Sequence, residues 1–207
     1  RGYAAMLENL LGHPQAALDH AQKCLAISQE RGFMIWLGVG TIQLCCATTA
    51  LGNAPAAVDM LENTFAAWLA GGAKLSTPFC KAWIARTRLA LDRRDGALAA
   101  VDEGLAASGE SGERYMDADL LRVRADILLA QGDRCAAERD LRRALDIADQ
   151  QGSTLFALRA ALAIFTLTAA PADRQRLEAA AQSLSASVEL CPDVAVAARA
   201  LEQQPVS

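Results

Sequence analysis

LLAQGDRCAAERDLRRALDIADQQG, residues 128–152, is the segment that predicts the fold most directly. After Gly132, small and apolar residues recur with the spacing i, i+4, i+7, i+8 and i+11, which places them on one face of an α-helix. These residues are Ala137, Leu141, Ala144, Leu145 and Ala148. On the opposite side the charges alternate in sign at every fourth residue, as is typical of a solvated helix face. The charged residues are Glu138, Arg142 and Asp146.

The same pattern recurs every 40 residues along the chain. Two columns of this period are rich in glycine, which can adopt the left-handed backbone conformation that ends a helix. They are Gly12, Gly52, Asp92 and Gly132, and Gly32, Gly72, Gly112 and Gly152. Three more columns are small or apolar. They are Ala17, Ala57, Ala97 and Ala137; Ala21, Leu61, Val101 and Leu141; and Leu25, Phe65, Leu105 and Leu145. Each period therefore predicts two helices, A and B, with small alanines where they approach closely.

The composition also favours helices, because 53% of the residues are hydrophobic but only 5% are aromatic, which leaves mainly Ala and Leu. The A helices are predicted over about 33–51, 77–91, 116–131 and 154–168, with Thr77 as an N-cap and Pro78 in the first turn. Pro171 and Pro192 mark breaks, and helices over about 172–189 and 194–203 complete the chain.

We therefore predict an all-α fold, a right-handed α-α superhelix of about five helix pairs in one domain, 1–207. The expected repeats are 1–32, 33–72, 73–112, 113–152 and 153–190, and residues 191–207 form a C-terminal cap or tail. The pattern changes in the fifth copy, where the 40-residue step puts Leu177 in the alanine column and Ser185 in the leucine column.

These residues resemble tetratricopeptide repeats (TPRs). The signature of a glycine, an alanine five residues on, an apolar residue four later and then Ala-Leu is complete in Gly132, Ala137, Leu141 and Ala144-Leu145. The period of 40 residues exceeds the usual 34, and residues 112–133 are similar to the last repeats of large bacterial signalling ATPases. Such proteins join an adenylate/guanylate cyclase or a DNA-binding domain to a nucleotide-binding module and a helical array. The resemblance covers about residues 1–170.

The charge pattern excludes several partners. The net charge of −4 is evenly mixed, so no basic patch points to nucleic acid or to a membrane surface. No charged residue occurs from Gly32 to Val58, but Gly and Thr residues interrupt this segment, and the repeat places it as a buried helix. The six cysteines include no Cys-x-x-Cys pair, so we expect reduced, mostly buried thiols in a cytoplasmic protein.

No residue set predicts a catalytic, cofactor or metal site. His20 and Cys24 would supply only two metal ligands, and the adjacent Cys45 and Cys46 have no histidine in the same repeat. Gly38-Val39-Gly40 lies within a predicted helix and lacks the rest of a dinucleotide fingerprint.

The A helices of a TPR array line its concave surface, which usually binds partners. This geometry places five charged residues near the expected groove, namely Arg86, Asp119, Arg122, Asp126 and Arg159. Arg122 and Asp126 are four residues apart and could pair with each other. Trp36 and Trp83, also on A helices, are interpreted as packing anchors.

Three functions fit this sequence. The first is a non-catalytic interaction or sensor scaffold of a bacterial cytoplasmic regulator, which binds a protein, a peptide, another domain of its parent chain or a second copy of itself. The second is the small-ligand (inducer) sensing domain of a transcriptional activator. The third is an enzyme that uses the groove carboxylates. A polar pocket buried between A helices would favour the second, and a charged open groove the first.

The repeat also suggests that these 207 residues are the C-terminal piece of a larger protein, because the second copy places the start of the first A helix eight residues before Arg1 and the sequence begins without Met. A mature native product with the mass of this chain alone would refute this expectation.

Overall fold

The computed structural model describes residues 1–185 and 191–203, and within these ranges the chain is helical and contains no strand. The helices are α1 (Gly2–Leu11), α2 (Pro14–Arg31), α3 (Met34–Ala50), α4 (Ala54–Ala70), α5 (Thr77–Ala90), α6 (Arg94–Ser111), α7 (Asp117–Gln131), α8 (Arg134–Gln150), α9 (Thr154–Thr168), α10 (Pro171–Ser185) and α11 (Pro192–Gln203). A 3-10 turn, Arg114–Met116, precedes α7.

The helix boundaries largely follow the sequence pattern. The prediction for α9 is confirmed at both ends. The predicted N-cap of α5 is wrong by one residue, because Ser76 caps this helix with a positive φ of 62° and Thr77 is its first residue. The predicted 172–189 helix begins at Pro171, and its last positions lie outside the described residues.

The chain divides into two compact units, Arg1–Gly104 and Leu105–Ser207. In the first unit α1 to α4 each pack against the next helix, and α3 also contacts α1 and α5. In the second unit α7 to α10 each pack against the next helix, and α9 also contacts α7 and α11. Odd-numbered helices therefore lie side by side within each unit and form a continuous face. The whole-chain domain and its repeat boundaries remain a prediction.

The predicted alanine column is fully buried, since Ala17, Ala57, Ala97 and Ala137 each expose 0% of their surface. These residues lie on α2, α4, α6 and α8, the B helices of the first four pairs. A side chain without atoms beyond Cβ lets neighbouring helices pack closely, and a larger one would overfill the space. The column is therefore a packing requirement of the fold.

Both glycine columns have the left-handed conformation, which was predicted for the column that contains Gly152. Gly132 has a φ of 88° and Gly152 a φ of 65°, and an added Cβ at either would meet no atom within 4 Å. The backbone angle, and not lack of space, therefore favours glycine there. Asp92 takes the same conformation with a φ of 56°, and Ala169 does so with a φ of 54°.

The fifth pair does not keep the 40-residue step. The buried positions of α8 are Ala137, Leu141, Ala144 and Ala148, and the corresponding positions of α10 are Asp173, Leu177, Ala180 and Leu184. Both sets have the spacing i, i+4, i+7 and i+11. The assignment of Leu177 to the alanine column is therefore wrong, and this residue matches Leu141. The fifth repeat is shorter than the fourth because its linker is shorter. In the fifth repeat α9 follows Gly152 and Ser153 directly, whereas in the fourth a 3-10 turn lies between Gly112 and α7.

The uncharged helix α3 is only partly buried, which corrects the expectation for this segment. Its second half packs inside, with Cys45, Cys46 and Ala47 fully buried. Its first turn is exposed, with 74% of Met34 and 68% of Ile35 accessible. Among the described helices, none combines the length and hydrophobicity that a membrane span needs.

Replacing Ala169 by glycine tests the left-handed turn between α9 and α10. An alanine at positive φ is strained, and this outweighs the extra unfolded-state freedom of glycine, so Ala169→Gly should raise the free energy of unfolding by about 0.5–1 kcal/mol. Gly132→Ala, the control, should lower it by a similar or larger amount. Urea denaturation measures both, and an Ala169→Gly variant no more stable than wild type would contradict this description.

Candidate functional site

Three of the predicted groove residues lie on α7. Asp119, Arg122 and Asp126 are spaced i, i+3 and i+7, so they share one helix face. Arg159 lies on the neighbouring helix α9, and Asp193 lies in the first turn of α11. Because α9 contacts both α7 and α11, the second unit brings these residues to one side.

The charged side chains form a paired network. Arg122 Nε donates to Asp119 Oδ1 at 3.2 Å and Nη1 donates to Asp126 Oδ2 at 2.9 Å, which confirms the expected pairing with Asp126. Arg159 donates to Asp193 Oδ2 from Nε at 3.0 Å and from Nη2 at 2.8 Å. The Asp119 side chain is 1% exposed and that of Asp126 is 41% exposed, so the network extends from the interior to the surface.

The carboxylates fix the charge of Arg122. Burial by itself lowers the pKa of this guanidinium, but Asp119 and Asp126, together with the more distant Asp193, raise it above the ordinary arginine range. Arg122 therefore remains cationic, and its hydrogen bonds hold it in one orientation.

These residues border a cavity of about 420 Å³ within the second unit. Arg122, Asp126 and Arg159 line it, and Asp119, which does not line it, is the buried acceptor of Arg122. The other wall is mainly apolar, formed by Leu129, Leu162, Ala163, Thr166 and Leu167. The cavity thus combines fixed charges with an apolar wall.

Two charged lining residues were not predicted from the sequence. Arg134, the first residue of α8, donates to the carbonyl of Leu167, and Asp193 pairs with Arg159 from α11. Both lie at helix starts, and the only sequence signal for Asp193 was its place beside Pro192, which was interpreted as a break.

The fifth predicted residue, Arg86, belongs to the first unit and does not line this cavity. Its guanidinium carbon lies 5.0 Å from the ring centroid of Trp83, a cation–π contact. Trp83 is 7% exposed, which confirms its role as a packing anchor. Trp36 is 37% exposed and borders a separate cavity of the first unit, so the same interpretation stays a prediction for this residue.

The remaining sequence candidates have packing roles. Cys24 is buried, and within residues 1–185 and 191–203 no three His, Cys, Asp or Glu side chains are placed to hold a metal ion. Burial raises the pKa of the Cys45 thiol to about 11 and that of Cys46 well above its usual range, so neither is a ready nucleophile. Five of the six cysteines are buried, and Cys135 is exposed.

The glycines of α3 give neighbouring side chains room. A Cβ on Gly40 would lie 3.1 Å from the Leu25 side chain, and one on Gly38 would lie 3.5 Å from the Trp68 ring. Gly40 is therefore a close-packing position, Gly38 is at ordinary contact distance, and both lie on a helix and not in a phosphate loop.

The chain matches no family profile and no curated protein sequence. Among solved structures it is similar to the nearly identical TPR-like repeats of a putative kinesin light chain from Podosopora anserina. A point variant of these repeats has a TM-score of 0.57 at 18% identity, over 89% of this chain and 91% of that one. A second structure of the repeats has a TM-score of 0.56 at 18% identity, over 99% and 95%. The predicted fold class, an all-α superhelix of TPR-like helix pairs, is confirmed.

The two carboxylates that bind Arg122 should differ in their effect on stability. Asp119→Asn should lower the free energy of unfolding by about 2 kcal/mol, because it keeps an acceptor oxygen but removes the buried negative charge that pairs with Arg122. Asp126→Asn, its matched control, should lower it by less than about 1 kcal/mol, because that pair is half exposed. Equal losses in urea denaturation would show that the network is not anchored at Asp119.

Proposed function

We propose that this chain is a non-catalytic protein-interaction scaffold that holds a peptide segment in the cavity formed by α7, α9 and α11. The observation that carries the proposal is that Arg122, Asp126 and Arg159 line one cavity together with an apolar wall. The TPR-like fold supports it, because stacked helix pairs create extended binding faces.

The cavity has the chemistry that an extended peptide requires. Its guanidiniums can donate to backbone carbonyls or acidic side chains, its carboxylates can accept from backbone N–H groups, and Leu129 and Leu162 can cover an apolar side chain. About 420 Å³ is within the usual range of ligand pockets and is enough for a few side chains, but not for a folded domain. A short segment with one apolar side chain is therefore the best fit.

The ionic network favours binding over catalysis. Each of Asp126 and Asp193 accepts from an arginine, so both carboxylates already belong to ion pairs that hold the guanidinium groups in place. The same cavity gives less support to an inducer site, because its charges are partly open to solvent and would remain hydrated around a small ligand.

The resemblance to helical arrays of bacterial signalling proteins extends the proposal to the parent protein. We infer a cytoplasmic regulator in which this region contacts another protein, another domain of the same chain or a second copy, with no direct nucleic-acid or membrane contact. The coding sequence upstream of Arg1 tests this inference. A cyclase, ATPase or DNA-binding domain there would support it, and a gene without such a domain would refute it.

Peptide selection on the purified chain tests the binding site. Thr166 lines the cavity and is exposed, so Thr166→Trp should block the site without disturbing the core. Peptides selected from a random library on the wild-type chain should bind Thr166→Trp about tenfold or more weakly, as expected when a buried contact worth about 1.4 kcal/mol is lost. Fluorescence anisotropy gives the dissociation constants.

Arg143→Trp is the matched control, because Arg143 is an exposed residue of α8 that does not line the cavity. It should leave binding within about twofold. Failure to select any peptide, or selected peptides that bind Thr166→Trp as tightly as wild type, would overturn the proposed site.

A further inference from the structure

A second cavity lies entirely within the first unit, where α1, α3, the end of α4 and the start of α5 meet. Its volume is about 150 Å³, and none of its lining residues carries a charge. The residues that define its character are Tyr3, Trp36, Gln43, Trp68, Leu75 and Phe79. It is thus a small aromatic cavity with one amide side chain.

Several contacts build the walls. The rings of Tyr3 and Trp36 meet edge to face, with centroids 5.6 Å apart and planes at 86°. Trp68 Nε1 donates to the carbonyl of Leu75 at 3.3 Å, which ties the end of α4 to the loop before α5. A Cβ on Gly2 would lie 2.8 Å from Val39 Cγ1, so glycine lets α1 approach α3 closely.

Gln43 supplies the only amide side chain of the cavity, whose other polar lining residues are Tyr3, Ser76 and Cys80. It is 4% exposed, and its Oε1 accepts from Asn9 Nδ2 at 3.0 Å, which orients the amide. Its Nε2 makes no hydrogen bond within the part of the chain that the structure describes. The amide nitrogen can therefore donate to a ligand oxygen in the cavity that Gln43 lines.

We propose that this cavity binds a small, uncharged molecule with a single aromatic ring and one hydrogen-bond acceptor, to which Gln43 Nε2 donates. A protein cavity of about 150 Å³ accommodates benzene, whereas drug-sized ligands occupy about 300–1,000 Å³. A charged ligand would lose its hydration without gaining a counter-charge. This site goes beyond the proposed peptide binding and uses none of the same residues.

The indole N–H signals of the three tryptophans provide a direct test by NMR. Trp36 and Trp68 line the cavity and Trp83 does not, so titration with phenol should shift the first two signals saturably and leave the third unchanged. Toluene, which replaces the hydroxyl acceptor by a methyl group, should bind about fivefold more weakly, as expected for one neutral hydrogen bond.

Gln43→Leu should abolish the preference for phenol over toluene, while Gln15→Leu on the surface of α2 should preserve it. Leu75 is 60% exposed, so Leu75→Trp can block the cavity without replacing a core residue and should remove both titrations. No saturable shift in wild type, equal shifts of all three tryptophans, or equal affinity for phenol and toluene would overturn the proposal. Binding of a phenylalanine-containing peptide without binding of free phenol would also overturn it.

Discussion

The structure depends on the close approach of helices at a column of fully buried alanines. Ala17, Ala57, Ala97 and Ala137 lie on even-numbered helices and expose none of their surface. A larger side chain there would overpack the interface by about 1–3 kcal/mol. Because a single helix pair cannot bury its apolar face alone, this spacing is repeated from pair to pair.

The same packing brings the odd-numbered helices side by side and so determines where side chains can converge. In the second unit, α7, α9 and α11 bring two ion pairs to the same side, Arg122 with Asp119 and Arg159 with Asp193. In the first unit, α1, α3 and α5 surround an uncharged cavity with Gln43 at its wall. One helix arrangement therefore forms two cavities with chemically different linings, one in each unit, and each can be tested separately.

The sequence predicted the features that follow from the 40-residue repeat or from helical spacing. The helices, the left-handed glycines and the buried alanines all follow from a 40-residue step, and the charges of α7 follow from helical spacing. The step misplaced Leu177 because it assumed constant linker lengths, whereas α9 begins without a 3-10 turn before it. Arg134 and Asp193 were missed because they lie at helix starts, where tertiary packing decides which cavity a side chain reaches.

Two adjacent alanines of α4 test the packing requirement most directly. Ala57 is fully buried, whereas Ala56 is exposed on the same helix. Urea denaturation should show that Ala57→Leu lowers the free energy of unfolding by about 1–3 kcal/mol, while Ala56→Leu changes it by less than about 0.5 kcal/mol. Equal stability of the two variants would contradict the conclusion that the alanine column sets the helix spacing.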